Sequence, residues 1–162
     1  MPVLCDADIL AAIKRQDLAI EPFAEASLTP NGYDLRIAEL LLPDETGAAP
    51  VRDGKVTVPP KARFLVSTLE RVTLGPAVTA QLWIRSSFAR KGLFASFGKV
   101  EAGFSGTLTI GGFNAAAVPI EIPVGDRFCQ IAFEELTRPA EKPYVQRSGR
   151  YQNQQGVTLA RE

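Results

Sequence analysis

The amino-acid sequence predicts an all-β fold. Beyond Gln16 the apolar residues recur with period two in short segments, the pattern of strands with one buried face. Twelve prolines and thirteen glycines separate those segments at the intervals of a sandwich, jelly roll or barrel. With 162 residues, 46% of them hydrophobic and 22% charged, the chain can bury one sizeable core, so residues 1–162 read as a single domain.

Each element has its own signal. "DADILAAIKRQ" predicts a short N-terminal helix: Asp6 is a natural N-cap, Asp8 lies in the first turn, and Lys14 and Arg15 sit near the end, all favourable to the helix dipole. Ile9, Leu10 and Ile13 form its expected buried stripe. The turn signal "TPNG" leads into "YDLRI", where Tyr33, Leu35 and Ile37 alternate with Asp34 and Arg36. "PDETGAAPVRDG" is a polar excursion, a surface hairpin or loop. "AQLWIRS" alternates as well, and "PIEIPVGDRFCQIAF" reads as two strands joined at Gly125 and Asp126. In "TLTIGGFN" a strand gives up two side chains, at Gly111 and Gly112; glycine there marks a β-bulge, a close backbone approach, or volume that something else fills. The closing "QRSGRYQNQQGVTLARE" has too few apolar residues to fold by itself, so residues 143–162 are expected to form a flexible tail unless a ligand or a neighbouring subunit holds them.

Composition narrows the function. Eighteen basic and eighteen acidic residues cancel, leaving no broad positive field for a nucleic-acid polymer, although a local cluster can still bind one small phosphorylated ligand. There is no histidine, and Cys5 and Cys129 stand far apart without metal-type spacing, which argues against zinc. Acid–base chemistry near neutral pH then falls to carboxylates, a perturbed lysine, a tyrosine or bound water. Cys129, inside "RFCQIAF", reads as a small buried hydrophobe rather than a reactive thiol. No signal pattern opens the chain and no apolar run approaches the roughly 18 residues of a membrane span, so a reduced, cytoplasmic setting is expected.

Four segments carry candidate chemistry. "RSSFARKG" sets Arg85 and Arg90 around Ser86 and Ser87 at a strand end, a composition suited to a phosphate chain and equally to a solvated charged turn. "GKVEAGFSG" holds Glu101 in a glycine-rich turn, where a carboxylate can orient a water or simply face solvent. Gln130 alternates with Cys129, Ile131 and Phe133, so its amide lines either a pocket or a solvent face. "GRYQNQQG" combines a cation, a ring and amides that can close over a nucleotide, or remain disordered.

In order, "PNGYDLRI", "RSSFARKGL", "GKVEAGFSGTLT", "FN" followed by "PI", "VGDRFCQIAF" and "YQNQQGVTLAR" resemble the motif series of the dCTP deaminase and dUTPase family, from the N-terminal helix to the last residues. The resemblance implies a distorted β-barrel or jelly roll, a homotrimer with active sites at subunit interfaces, and a deoxynucleoside triphosphate bound with magnesium. It assigns Arg85, Ser86, Ser87 and Arg90 to the phosphates, turns Gln130 toward the nucleotide, and makes Tyr144, Arg150, Tyr151 and Gln154 part of a C-terminal lid. Phe97, Gly98, Phe104, Thr109 and Ile110 fall at the base and sugar, with the segment from Arg85 to Glu101 about two residues shorter than in the deaminases. The glutamate that moves protons in the deaminases falls on Gly111. The water-orienting aspartate of the diphosphatases corresponds to Glu101. Three functions follow as alternatives: diphosphatase chemistry through Glu101, deamination by altered chemistry, or nucleotide or partner binding without turnover.

Overall fold

The computed structural model describes residues 2–161. In chain order the elements are α1 (Asp6–Lys14), β1 (Leu18–Glu21), β2 (Leu28–Thr29), β3 (Gly32–Leu41), β4 (Lys55–Val58) and β5 (Arg63–Thr68). There follow β6 (Arg71–Leu74), β7 (Val78–Ile84), α2 (Ser86–Ala89), β8 (Leu93–Ala95), β9 (Lys99–Val100) and β10 (Ser105–Gly106). The chain closes with β11 (Thr109–Asn114), β12 (Ile120–Pro123), β13 (Arg127–Glu135) and α3 (Tyr144–Arg147). The fold is mostly β, as expected, and the main sheet curls in the order β8-β11-β5-β3-β13-β7-β9, with β2 added to β3. Two smaller sheets, β1-β6-β10 and β12-β4, complete it, and every pairing is antiparallel. Among the described residues no helix is long and apolar enough to cross a membrane.

Helix α1 begins one residue earlier than its sequence signal. Cys5 is the N-cap, without a side-chain capping bond, and Asp6 is the first helical residue. Of the expected stripe, Ile9 is buried and Leu10 is exposed; Ala12 takes the buried place. The reason is angular: positions 9, 12 and 13 share one face of a 3.6-residue period, and position 10 lies off it.

The core is gathered between the sheets around Tyr33, Phe64, Phe128 and Phe133, all fully buried, with Leu35, Ile37, Leu40, Ile110 and Ile122 between them. Burying each such side chain contributes on the order of 1.5–3 kcal/mol. Phe128 anchors the aromatic contacts, edge-on to Phe64 at 6.1 Å and tilted against Phe88 at 5.2 Å. The buried Tyr33 hydroxyl accepts the Ala24 N–H at 2.9 Å, so its polar end is satisfied. Cys129 is buried as expected, and burial pushes its thiol far above the ordinary range, which makes it unreactive.

Strand β3 is central, and the alternation in "YDLRI" gives way to burial on both faces: Asp34 and Glu39 are buried alongside Tyr33 and Leu35. A register shift against β5 between Ile37 and Glu39 changes the strand's phase, so that Leu40 rather than residue 39 follows Ile37 into the core. No such shift occurs at the paired glycines. Gly111 and Gly112 stand in continuous register opposite Leu65 and Phe64, so they are not a bulge.

Candidate functional site

Strand β7 ends at Ile84, and the chain turns through Arg85 into α2, placing Ser86 and Ser87 in its first turn and leaving both exposed. The Arg85 guanidinium is held from two sides. Its Nε pairs with Asp34 Oδ2 at 3.0 Å and its Nη1 donates to the Arg127 carbonyl at 3.1 Å. Arg127 adds a second cation 3.7 Å from the same carboxylate oxygen. Asp34 is therefore a buried acid facing two arginines. Burial pushes its carboxyl above the ordinary aspartate range, and Arg85 and then Arg127 pull it back in part. Asp34 and Arg85 line a cavity of about 340 Å³ with Ser86, Ser87 and Gln130. Gln130 is turned here by a bond from its amide nitrogen to Thr29 Oγ1 at 2.8 Å. Arg90 caps the C-terminal end of α2, exposed and outside this cavity.

A second cavity, of about 270 Å³, gathers Phe97, Gly98, Phe104, Thr109 and Ile110 with Glu101, Tyr144, Tyr151 and Gln154. Phe104 is buried beneath Tyr144, edge-on at 5.6 Å. The Tyr144 hydroxyl accepts the Tyr151 N–H at 3.0 Å, which fixes one tail aromatic beside the other. Glu101 is exposed at the rim, and its carboxylate takes no hydrogen bond or ion pair among the described residues. The tail that has too little apolar content to fold alone lies against its own chain. Asn153 N–H bonds the Ser105 carbonyl at 2.7 Å, the Thr107 N–H bonds the Gln154 carbonyl at 3.0 Å, and Gln154 Nε2 donates to the Thr107 carbonyl at 2.8 Å. Backbone partners from β10 and the β10–β11 connection thus substitute for the missing apolar content. Arg150 is turned outward, exchanging hydrogen bonds with the backbone of Arg161 and its side chain.

The two cavities have no lining residue in common. Strand β7 gives Leu82 to one and Trp83 and Ile84 to the other, where Arg85 follows them. Gly111 belongs to neither. It lies in a third concavity, an apolar groove of about 350 Å³ with Phe64, Leu65, Phe94 and Phe113. The adjacent glycines differ in cause. A Cβ at Gly112 would run into the Phe64 ring, so that position is a close approach of an aromatic to backbone; a Cβ at Gly111 would meet only Leu65 Cδ2, at an ordinary 3.6 Å.

The sequence reading passed over Asp34, because an acid in an alternating strand reads as solvent-facing; its position in a strand paired on both edges, with Arg85 and Arg127 across from it, was not visible. Among the described residues no three carboxylates or cysteines stand close enough to hold a metal ion. The donor set at Arg85 suits an anion. A magnesium ion would therefore arrive on the phosphates it neutralises, and the protein would grip those phosphates.

Residues 3–136 match the family model described as dCTP deaminase-like. A dCTP deaminase of Thermococcus kodakarensis is 42% identical over 147 residues, covering 91% of this chain and 93% of that protein. A probable deoxyuridine 5'-triphosphate nucleotidohydrolase of Sulfolobus islandicus rod-shaped virus 1 is 37% identical over 161 residues, 99% of both chains. Among solved structures, the 2'-deoxycytidine 5'-triphosphate deaminase of Agrobacterium tumefaciens superposes with a TM-score of 0.67 at 19% identity, over 81% of this chain and 46% of that one.

Proposed function

The chain belongs to the dCTP deaminase-like family, and from that premise we propose that it hydrolyses a deoxynucleoside triphosphate at the α–β phosphate link, a dUTP-type diphosphatase reaction. The observation that carries this reading is the contrast between two cavities: Glu101 stands on the rim of the second with no ion pair or hydrogen bond among the described residues, while Gly111, the position to which the family resemblance assigns the deaminase glutamate, lies in a groove lined by no acid. Glu101 takes a proton from a water whose oxygen attacks the α-phosphorus. The α–β bridging bond breaks, and pyrophosphate leaves with the electron pair. Magnesium bound to the phosphates supplies charge neutralisation during that displacement.

The phosphate-binding role falls to Arg85, Ser86 and Ser87, with Asp34 aligning the guanidinium. Since one chain carries these residues in a cavity separate from Glu101, the reading includes a homotrimer in which one subunit's Arg85 corner completes a neighbour's base-and-sugar cavity. The tail from 143 onward closes that cavity through Tyr144, Tyr151 and Gln154. Arg90 and Arg150 line neither cavity in one chain and would meet phosphate across such an interface.

Pyrophosphate release from each of the common deoxynucleoside triphosphates with magnesium tests the proposal. Release from dUTP that is lost in Glu101→Gln supports it, and no release from any of them removes it. One observation favours a second reading, binding without turnover: among the described residues nothing holds the Glu101 carboxylate in a fixed direction. Saturable binding of a nucleotide that stays intact through the same assay selects it.

A further inference from the structure

The family reading does not use Glu39. This glutamate is 6% exposed and lies in β3 just past the register shift, which turns it out of the face that Tyr33, Leu35 and Ile37 share. A buried carboxylate needs partners for both oxygens. One partner is Arg52, whose Nε lies 2.9 Å from Oε2 and whose side chain is 74% exposed. The other is the tail: the backbone N–H of Val157 donates to Oε1 at 2.5 Å.

The residues on either side of Val157 are held as well. Thr109 Oγ1 donates to the Gly156 carbonyl at 3.3 Å and accepts the Thr158 N–H at 3.0 Å. Three consecutive tail residues are therefore fixed by one hydroxyl and one carboxylate. Gly156 is required at the centre of this arrangement for two separate reasons. Its φ is +65°, and a Cβ there would come to 2.6 Å from Glu39 Oε1. The glycine of "NQQG" is thus the mark of an acid approaching the tail backbone.

We propose that Glu39 is a positioning residue that latches the tail at Val157 and so sets the register of Gln154 and Tyr151 in the nucleotide cavity. Gln154 is two residues before Gly156, so a slip of one residue at the latch moves it by about 3.8 Å along the tail, out of its paired bonds with Thr107. The inference rests on the reading of that cavity as a nucleotide site.

Amide hydrogen exchange and dUTP binding with magnesium, measured on the full chain for wild type, Glu39→Ala, Glu39→Gln and Gly156→Ala, test it. Glu39→Ala is expected to speed exchange at Val157 and Thr158 about tenfold and to weaken nucleotide binding by a similar factor. Glu39→Gln keeps an acceptor for the Val157 N–H and is expected to retain most of both. Gly156→Ala reproduces the alanine phenotype from the tail side with β3 untouched. Exchange unchanged in Glu39→Ala, or equally fast in Glu39→Gln, overturns the latch. Faster exchange with unchanged affinity overturns its role at the site and leaves the proposed activity standing. Protection at Val157 that depends on Glu39 in a protein that binds no nucleotide instead overturns the reading of the cavity.

Discussion

The concavity at Arg85 and the groove at Gly111 have nearly the same volume, about 340 and 350 Å³, and opposite chemistry. At Arg85 an acid, a guanidinium, two hydroxyls and an amide converge, and the charges are already paired with one another. At Gly111 the walls are Phe64, Leu65, Phe94 and Phe113, and the one charge, Arg63, is tied by two nitrogens to Asp44 at 2.7 and 2.8 Å. Gripping a phosphate chain and moving a proton on a base are separable properties of such a fold. Under the proposed function the Arg85 corner keeps the first property, the groove at Gly111 offers no side chain for the second, and turnover falls to Glu101.

That contrast breaks most sharply at Glu101. Glu101→Gln is expected to lower pyrophosphate release by roughly 10² to 10⁴-fold with nucleotide affinity little changed. An unaltered rate places the chemistry elsewhere. Next in size, Arg85→Ala leaves Asp34 buried with only the more distant Arg127, at 3.7 Å. It is expected to abolish measurable triphosphate binding and to cost about 2 kcal/mol in chemical denaturation. A stable variant with unchanged affinity removes the phosphate role of that corner.

The neighbouring glycines sharpen the comparison from the other side. Gly112→Ala forces the Phe64 ring to move and is expected to destabilise by about 1–3 kcal/mol. Gly111→Ala meets ordinary contact and is expected to be neutral or stabilising by about 0.5 kcal/mol, because alanine restricts the unfolded chain. Equal losses at the two positions show that Gly111, too, is held by packing.

The smallest effect is on pH dependence. The Asp34 carboxyl lies above its ordinary value near 3.8, so the folded state holds that proton more tightly than the unfolded chain. Its stabilising contribution is complete below that value and is lost as pH rises through the raised one. Across that window wild type is expected to lose stability relative to Asp34→Asn, by less than about 1 kcal/mol in unfolding titrations. A wild type that gains stability relative to Asp34→Asn as pH rises reverses the assignment.

Much of this was legible in the residues. Period-two segments with glycine and proline between them predicted the strands, and "RSSFARKG" and "GKVEAGFSG" marked two chemically different corners. Local pattern does not report which strands pair. Asp34 looked exposed because "YDLRI" alternates, and it is buried because β3 lies between β5 and β13. The tail looked unsupported because its partners, Ser105, Thr107, Thr109 and Glu39, sit 40 or more residues away and act through backbone bonds that composition cannot signal. The two glycines of β11 looked alike, and only the Phe64 ring across the ladder separates them.

Strand β7 deals its residues to two cavities that share none. Under the trimeric reading every subunit is a donor at one site and a recipient at another, and a lesion in one role spares the other. Two crippled versions of the chain, one lacking Arg85 and one lacking Glu101, would then rescue each other when coassembled, since some composite sites would draw both intact halves from different mutants.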